Sequence, residues 1–208
     1  MTGPSTGLLA QLLKAGLFGA ELQDTGQPVP FHPDEEQLVA SAAPTRRRDF
    51  ALGRACAHGA LAQLGLGDRP ILKAPDGAPR WPAGLVGSIT HTRGYAAALV
   101  ARAADCSGLG VDAERIGGVT PDLWPRLFCL PELDYLQAQP NKDRIATILF
   151  SAKEACFKAG DDAVLRFQDF RVSLAGSCFT AACRAQVFEG RFVAGSDLVV
   201  TAAWRAGP

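Results

Sequence analysis

The chain has 208 residues, 48% of them hydrophobic and 20% charged, enough apolar material for one large domain or two small ones. Lysine plus arginine and aspartate plus glutamate are 21 each, so there is no broad basic field for nucleic acid and any anion site has to be local. No apolar run approaches membrane-spanning length, and the N-terminus lacks a positive region followed by an apolar core, so neither a membrane span nor a signal peptide is expected.

In chain order, Leu8, Leu9, Leu12, Leu13, Leu17 and Phe18 predict a short amphipathic helix within residues 1–22, packed on the body. Residues 24–33 form a Gly/Pro-broken loop. A short helix over 33–43 opens with Asp34, Glu35 and Glu36, acids at the end where the helix dipole favours them. Pro44 and Thr45 start a longer helix through 46–65, which Gly65 and Gly67 stop. Residues 71–73 read as a short strand, followed by a turn at Ala74-Pro75-Asp76-Gly77. Two apolar strands, 85–90 and 95–103, joined across residues 91–94, predict a hairpin with His91 at its tip. A strand over 109–114 follows, then a helical stretch over 122–139 broken by Pro125 and Pro131. Residues 141–148 lead into a helix opening at Phe150, with Ser151 as cap and Glu154 completing a capping box, and Gly160 ends it. Residues 167–204 hold several strands, 198–204 the clearest. The six cysteines form no CxxC pair and no zinc spacing, and are expected to be small buried residues in a reducing cytosol.

Residues 50–58 (FALGRACAH) and 150–158 (FSAKEACFK) align at an offset of 100, with Phe, Ala and Cys matching, Arg54 on Glu154 and His58 on Lys158. Residues 95–103 (YAAALVARA) also resemble 198–206 (LVVTAAWRA). Both echoes keep the order helix, then strand. The expected fold is therefore α+β: two pseudo-symmetric halves, 1–108 and 109–208, each a helix packed on a small antiparallel sheet, with a ligand cleft between them.

Several residues carry chemistry in this pattern. Glu154 and Lys158, four apart on one helix face, place a carboxylate beside an ammonium, which is either a plain surface ion pair or a base next to an electrophile. Asp112 and Glu114, two apart on a strand, share one face; they are either a solvated strand end or a like-charge pair that calls for a cation such as Mg²⁺. Arg46, Arg47, Arg48 and Arg54 form a basic patch on one helix, with Arg47 and Arg54 seven apart and sharing a face. Lys73 before its turn and His91 complete a set of phosphate partners, each of which alone also fits a solvated or backbone-bonded surface residue.

Taken in order, GRxCA (residues 53–57), KxPDGxP (73–79), SITHT (88–92), GVDAE (110–114) and FSAKEAxxKA (150–159) resemble the Sfp-type 4′-phosphopantetheinyl transferases, most nearly the subset that includes the enterobactin-synthase transferase. The resemblance covers roughly residues 45–160. The family often carries Trp where Phe150 stands and Ser where Thr90 stands, and Ala113 between the two acids cannot serve as a third ligand. The resemblance implies transfer of the phosphopantetheine arm of coenzyme A to a serine of an apo acyl, peptidyl or aryl carrier protein, secondary-metabolite carriers included, by a cytoplasmic, Mg²⁺-dependent enzyme. It implies Asp112, Glu114 and Glu154 as metal ligands, Glu154 as general base and Lys158 on the pyrophosphate. Asp112, Thr90 and Lys73 are further ligand contacts, and His91, Arg54 and Arg46 grip the 3′-phosphate. Helical geometry alone leaves open which of Arg46, Arg47 and Arg48 faces inward; the resemblance favours Arg46. Residues 123–136, with Trp124, Arg126, Leu127, Phe128 and Leu130, are either a carrier-docking surface or a core-packing helix. A chain that already holds both halves is expected to act as a monomer, without nucleic acid or membrane. The competing functions are a Mg²⁺-dependent hydrolase of a pyrophosphate or of coenzyme A, and a non-catalytic module that binds coenzyme A or a carrier.

Overall fold

The computed structural model describes residues 7–160 and 166–207; the first six residues of the opening segment, residues 161–165 and residue 208 lie outside them. The elements are β1 (Leu17–Gln23), α1 (Pro33–Glu36), α2 (Pro44–Ala62), β2 (Leu72–Lys73), β3 (Pro79–Arg80), β4 (Leu85–Thr92), β5 (Tyr95–Arg102) and β6 (Cys106–Arg115), then α3 (Trp124–Leu127), α4 (Leu130–Gln137), α5 (Lys142–Ala159), β7 (Arg171–Ala175), β8 (Cys178–Cys183), β9 (Gln186–Ala194) and β10 (Leu198–Ala206).

Strand alternation sorts these elements into layers. β5 is apolar along nearly its whole length because both of its faces are covered. Ala96, Ala98 and Val100 meet Leu52, Cys56, Ala57 and Leu61 of α2. Ala97, Leu99 and Ala101 point the other way, into an apolar layer shared with Leu109, Val111 and Ala113 of β6 and Val200 and Ala202 of β10. Beyond β6 and β10, α5 packs Ala152, Ala155, Cys156 and Ala159 against Ala203, Phe170, Phe179 and Phe188. The two main sheets run β1-β5-β4 and β6-β10-β9-β8-β7, and every pairing is antiparallel. The architecture is α+β, with α2 laid on the first sheet and α5 on the second. The two sequence echoes fall on matching elements: α2 with α5, and β5 with β10. The 108/109 division falls near the start of β6.

Local readings differ in six places. The opening helix is only a 3-10 turn at Leu9–Leu12; Gly16, at φ +85°, redirects the chain, and Leu17 and Phe18 belong to β1, which covers the edge of β5 from Leu17↔Ala101 to Gln23↔Tyr95. Pairing with that edge outweighs the helical spacing of the leucines. The 33–43 helix is α1 followed by a 3-10 turn at Gln37–Val39. Pro125 and Pro131 start α3 and α4 rather than break one helix, because each sits in a first turn, where the missing N–H costs nothing. α5 begins at Lys142, so Ser151 is not a cap: it lies in mid-helix, fully buried, its hydroxyl without a partner among the described residues. β4 continues to Thr92 and turns through Arg93 and Gly94 (φ +77°), so His91 is a strand residue opposite Ala96, not a hairpin tip. Of the cysteines, Cys178 is exposed and Cys129 partly so, against the expectation that all are buried.

Candidate active site

The cleft opens between α2 and α5, where Thr90 of β4 reaches Asp112 of β6. Its depth depends on two glycines. A Cβ on Gly110 would lie 1.8 Å from the Ala155 carbonyl oxygen, and one on Gly108 would lie 2.1 Å from that of Ala159. Only glycine at these strand positions lets α5 lie this close to β6. The close approach brings Glu154 and Lys158 over Asp112 and Glu114. The resulting cavity, about 380 Å³, is lined by all nine predicted site residues: Arg46, Arg54, Lys73, Thr90, His91, Asp112, Glu114, Glu154 and Lys158.

Its acidic side is tightly organised. The Lys158 Nζ donates to Asp112 Oδ1 at 2.7 Å and to the Val111 carbonyl at 3.1 Å, and the Thr90 hydroxyl donates to the same Oδ1 at 3.4 Å. Asp112 Oδ2 is buried and has no hydrogen-bond partner among the described residues. Burial, then the charges of Asp112 and Glu154, push the Glu114 carboxyl up to about 7, against the pull of Lys158. Burial and Asp112 likewise raise Glu154. One ammonium thus serves three carboxylates.

Whether these residues fit a metal turns on that imbalance. Among the described residues no three His, Cys, Asp or Glu side chains form a ready-made metal cage. Three oxygen donors bordering one cavity, one with an orphaned buried oxygen and two whose pKa values are raised by burial and by neighbouring carboxylate charge, do fit Mg²⁺, which takes one or two carboxylates, keeps waters and completes its shell with ligand phosphates.

The opposite wall is cationic. Arg46 Nη1 lies 3.1 Å from His91 Nε2. The Arg54 guanidinium, its side chain only 7% exposed, stacks 4.4 Å over the Phe50 ring, and Lys73 Nζ sits 5.8 Å over the same ring. Burial and the neighbouring Arg46 press the Arg54 pKa down, with Glu35 working against them. Of the three consecutive arginines only Arg46 lines the cleft. Arg47 reaches back to Glu36 and the Val39 carbonyl, and Arg48 turns to Asp24, so the expected common face of Arg47 and Arg54 does not form.

Two buried ionic groups escaped the sequence reading. Glu35, read as an acid favoured by a helix dipole, is fully buried and holds His58 at 2.9 Å. The spacing of His58 four residues after Arg54, on one helix face, was the available signal. Lys153, inside the KEAxxK motif, is also fully buried and pairs with Glu132; no sequence pattern separates it from Lys158. In the 123–136 segment Trp124, Phe128 and Leu136 are core residues and Leu127 packs against them, which leaves Leu123, Arg126 and Leu130 on the surface.

An α+β chain with carboxylates on one wall of a cleft and arginine, lysine and histidine on the other is built as an enzyme that handles a phosphorylated ligand. Comparison with known proteins makes the assignment specific. Residues 34–101 match the model of the 4′-phosphopantetheinyl transferase N-terminal domain, and residues 108–199 that of the 4′-phosphopantetheinyl transferase superfamily. The chain is 40% identical over 195 residues to the 4′-phosphopantetheinyl transferase Svp of Streptomyces mobaraensis, covering 85% of this chain and 79% of that one. It is 34% identical over 207 residues to PptT of Mycobacterium tuberculosis, covering 97% and 88%. Enterobactin synthase component D of Salmonella typhi matches a shorter stretch, 35% identical over 135 residues, 64% of this chain and 55% of that protein. The chain belongs to the 4′-phosphopantetheinyl transferase superfamily.

Proposed function

We propose that the chain moves the 4′-phosphopantetheine arm of coenzyme A onto a serine hydroxyl of an apo acyl, peptidyl or aryl carrier protein and releases 3′,5′-ADP. The observation that supports this reading most directly is the convergence of all nine sequence-derived residues on one cavity, in a chain of this family. In this reading Arg46, Arg54 and His91 hold the 3′-phosphate, and Lys73 adds a further cation. Asp112, Glu114 and Glu154 are the residues that would hold Mg²⁺; when bound, the ion neutralises diphosphate charge and polarises the attacked phosphorus.

Glu154 takes the proton of the carrier serine. Burial and the Asp112 charge raise its pKa, which makes it a stronger base than an ordinary carboxylate. Lys158, held at Asp112, hands its ammonium to the developing charge on the leaving 3′,5′-ADP. The exposed Leu123, Arg126 and Leu130 are the surface we assign to carrier docking. No helix among the described residues is long and apolar enough to cross a membrane. A cytoplasmic monomer acting without nucleic acid or membrane completes the reading, since one chain supplies both walls of the cleft.

The test is incubation with coenzyme A, Mg²⁺ and a panel of apo carrier domains, read by intact mass. The expected result is a carrier heavier by one phosphopantetheine arm. Coenzyme A cleavage with every carrier unchanged would replace this reading with a hydrolase, and binding without turnover would replace it with a binding module.

A further inference from the structure

We propose that Glu35 is a positioning residue for the cationic wall of the cleft: a carboxylate that does not line the cleft but fixes where Arg54 and Lys73 stand. The proposal rests on the reading of those two cations as phosphate contacts.

Glu35 is 0% exposed, on the short α1. Its Oε1 accepts the Ile71 N–H at 2.7 Å, and both of its oxygens lie within 3.0 Å of His58 Nε2. Arg54 Nε is 3.9 Å from Oε1, a charge contact without a hydrogen bond. His58 Nδ1 lies 2.8 Å from the Gly67 carbonyl. One carboxylate therefore ties α1 to the α2 face that carries Arg54 and His58, and to the backbone two residues before Lys73. Both His58 ring nitrogens face acceptors, so the imidazole carries both protons. The His58 pKa is raised by its bond to Glu35, against burial, which agrees with that geometry.

The charge balance sets the direction of the effect. Glu35 and His58 together are neutral, so Arg54 keeps its attraction for an anion. Removing the carboxylate returns His58 to its neutral form, which leaves the net charge near the cleft unchanged. The loss is then one of position. Glutamine in this place keeps the ties: its oxygen accepts the Ile71 N–H, and its amide donates to the free Nε2 of a His58 that still donates from Nδ1 to Gly67. Removing His58 instead frees Glu35 to close the 3.9 Å gap and pair with Arg54, which takes the guanidinium from the ligand.

The experiment is titration calorimetry of the full chain with 3′,5′-ADP and with 5′-AMP, on wild type, Glu35→Ala, Glu35→Gln and His58→Leu, each checked for fold by circular dichroism. Wild type is expected to prefer 3′,5′-ADP. Glu35→Ala and His58→Leu should each lose about tenfold of that preference, with 5′-AMP affinity nearly unchanged, while Glu35→Gln stays within about threefold of wild type. Should Glu35→Ala not fold, His58→Leu decides alone. An undiminished preference in either variant overturns the positioning role. Equal binding of the two nucleotides by wild type overturns the phosphate reading and this proposal with it.

Discussion

Lys153 and Lys158 belong to one motif and stand in opposite surroundings. Lys153 Nζ is fully buried and donates to the Leu127 carbonyl at 2.9 Å, the Phe167 carbonyl at 2.9 Å and Glu132 Oε2 at 2.5 Å. Burial lowers its pKa, with the Glu132 charge opposing. Replacing it with methionine keeps the volume and removes all three bonds, leaving Glu132 charged in the core and two carbonyls unpaired. Breaking a buried pair by removing one partner costs about 3–5 kcal/mol. Glu132 retains the N–H groups of Cys129 (2.9 Å) and Val172 (2.8 Å), which places the expected loss at the lower end of that range. At roughly 2–4 °C per kcal/mol for a chain of this size, Lys153→Met should lower Tm by roughly 6–12 °C in a scanning-calorimetry or circular-dichroism melt. Adding Glu132→Gln removes the buried charge but leaves either the Cys129 or the Val172 N–H facing an amide NH₂, so it should recover little of the loss. A Tm within about 2 °C of wild type would refute the reasoning.

Mg²⁺ titrated in the presence of coenzyme A near pH 7 should release protons, because Glu114, pushed up to about 7, is partly protonated before the ion arrives. The calorimetric heat should therefore vary with the ionisation enthalpy of the buffer, and a buffer-independent heat would contradict the site. The Glu35–His58 pair sets a stability window. Burial works to raise the Glu35 pKa, but the bonds to His58 and Ile71 and the charges of His58 and Arg54 carry it below its ordinary 4.5, so its contribution is present above that value and fades as pH falls through the lowered one. The His58 pKa is raised above 6.5, so its contribution is complete below 6.5 and fades as pH rises through the raised value. The stability gap between wild type and Glu35→Gln should peak between pH 4.5 and 6.5; a gap constant from acid to alkali in urea titrations would contradict the pairing. Ser151→Ala removes a buried hydroxyl with no partner among the described residues, so it should leave stability unchanged or raise it by about 1 kcal/mol; a clear loss would reveal a partner for that hydroxyl.

What was legible in the sequence was whatever has a period or a short spacing. Asp112 and Glu114 share a face because strands repeat every two residues, and Glu154 and Lys158 do so because helices bring i and i+4 together; both pairs line the cleft. The echo between residues 50–58 and 150–158 is legible for the same reason, since each segment must present small residues to a sheet. β1 was not legible, because its assignment depends on an edge of β5 nearly eighty residues downstream, and the leucines before it carry helical spacing. The start of α5 was misplaced because Ser151 and Glu154 satisfy the capping spacing while eight further helical residues precede Phe150. Glu35 and Lys153 look like surface charges in sequence. Only the three-dimensional meeting of α1 with α2, and of α4 with α5, makes them buried partners of His58 and Glu132.

The most direct measurement is a crystal structure of the full chain grown with coenzyme A and Mn²⁺, with anomalous scattering recorded at the manganese edge. The account predicts one strong anomalous peak in contact with carboxylate oxygens of Asp112, Glu114 and Glu154 and with the coenzyme A diphosphate, and the 3′-phosphate against Arg46, Arg54 and His91. Manganese bound elsewhere, or a diphosphate lying away from these three side chains, would contradict it.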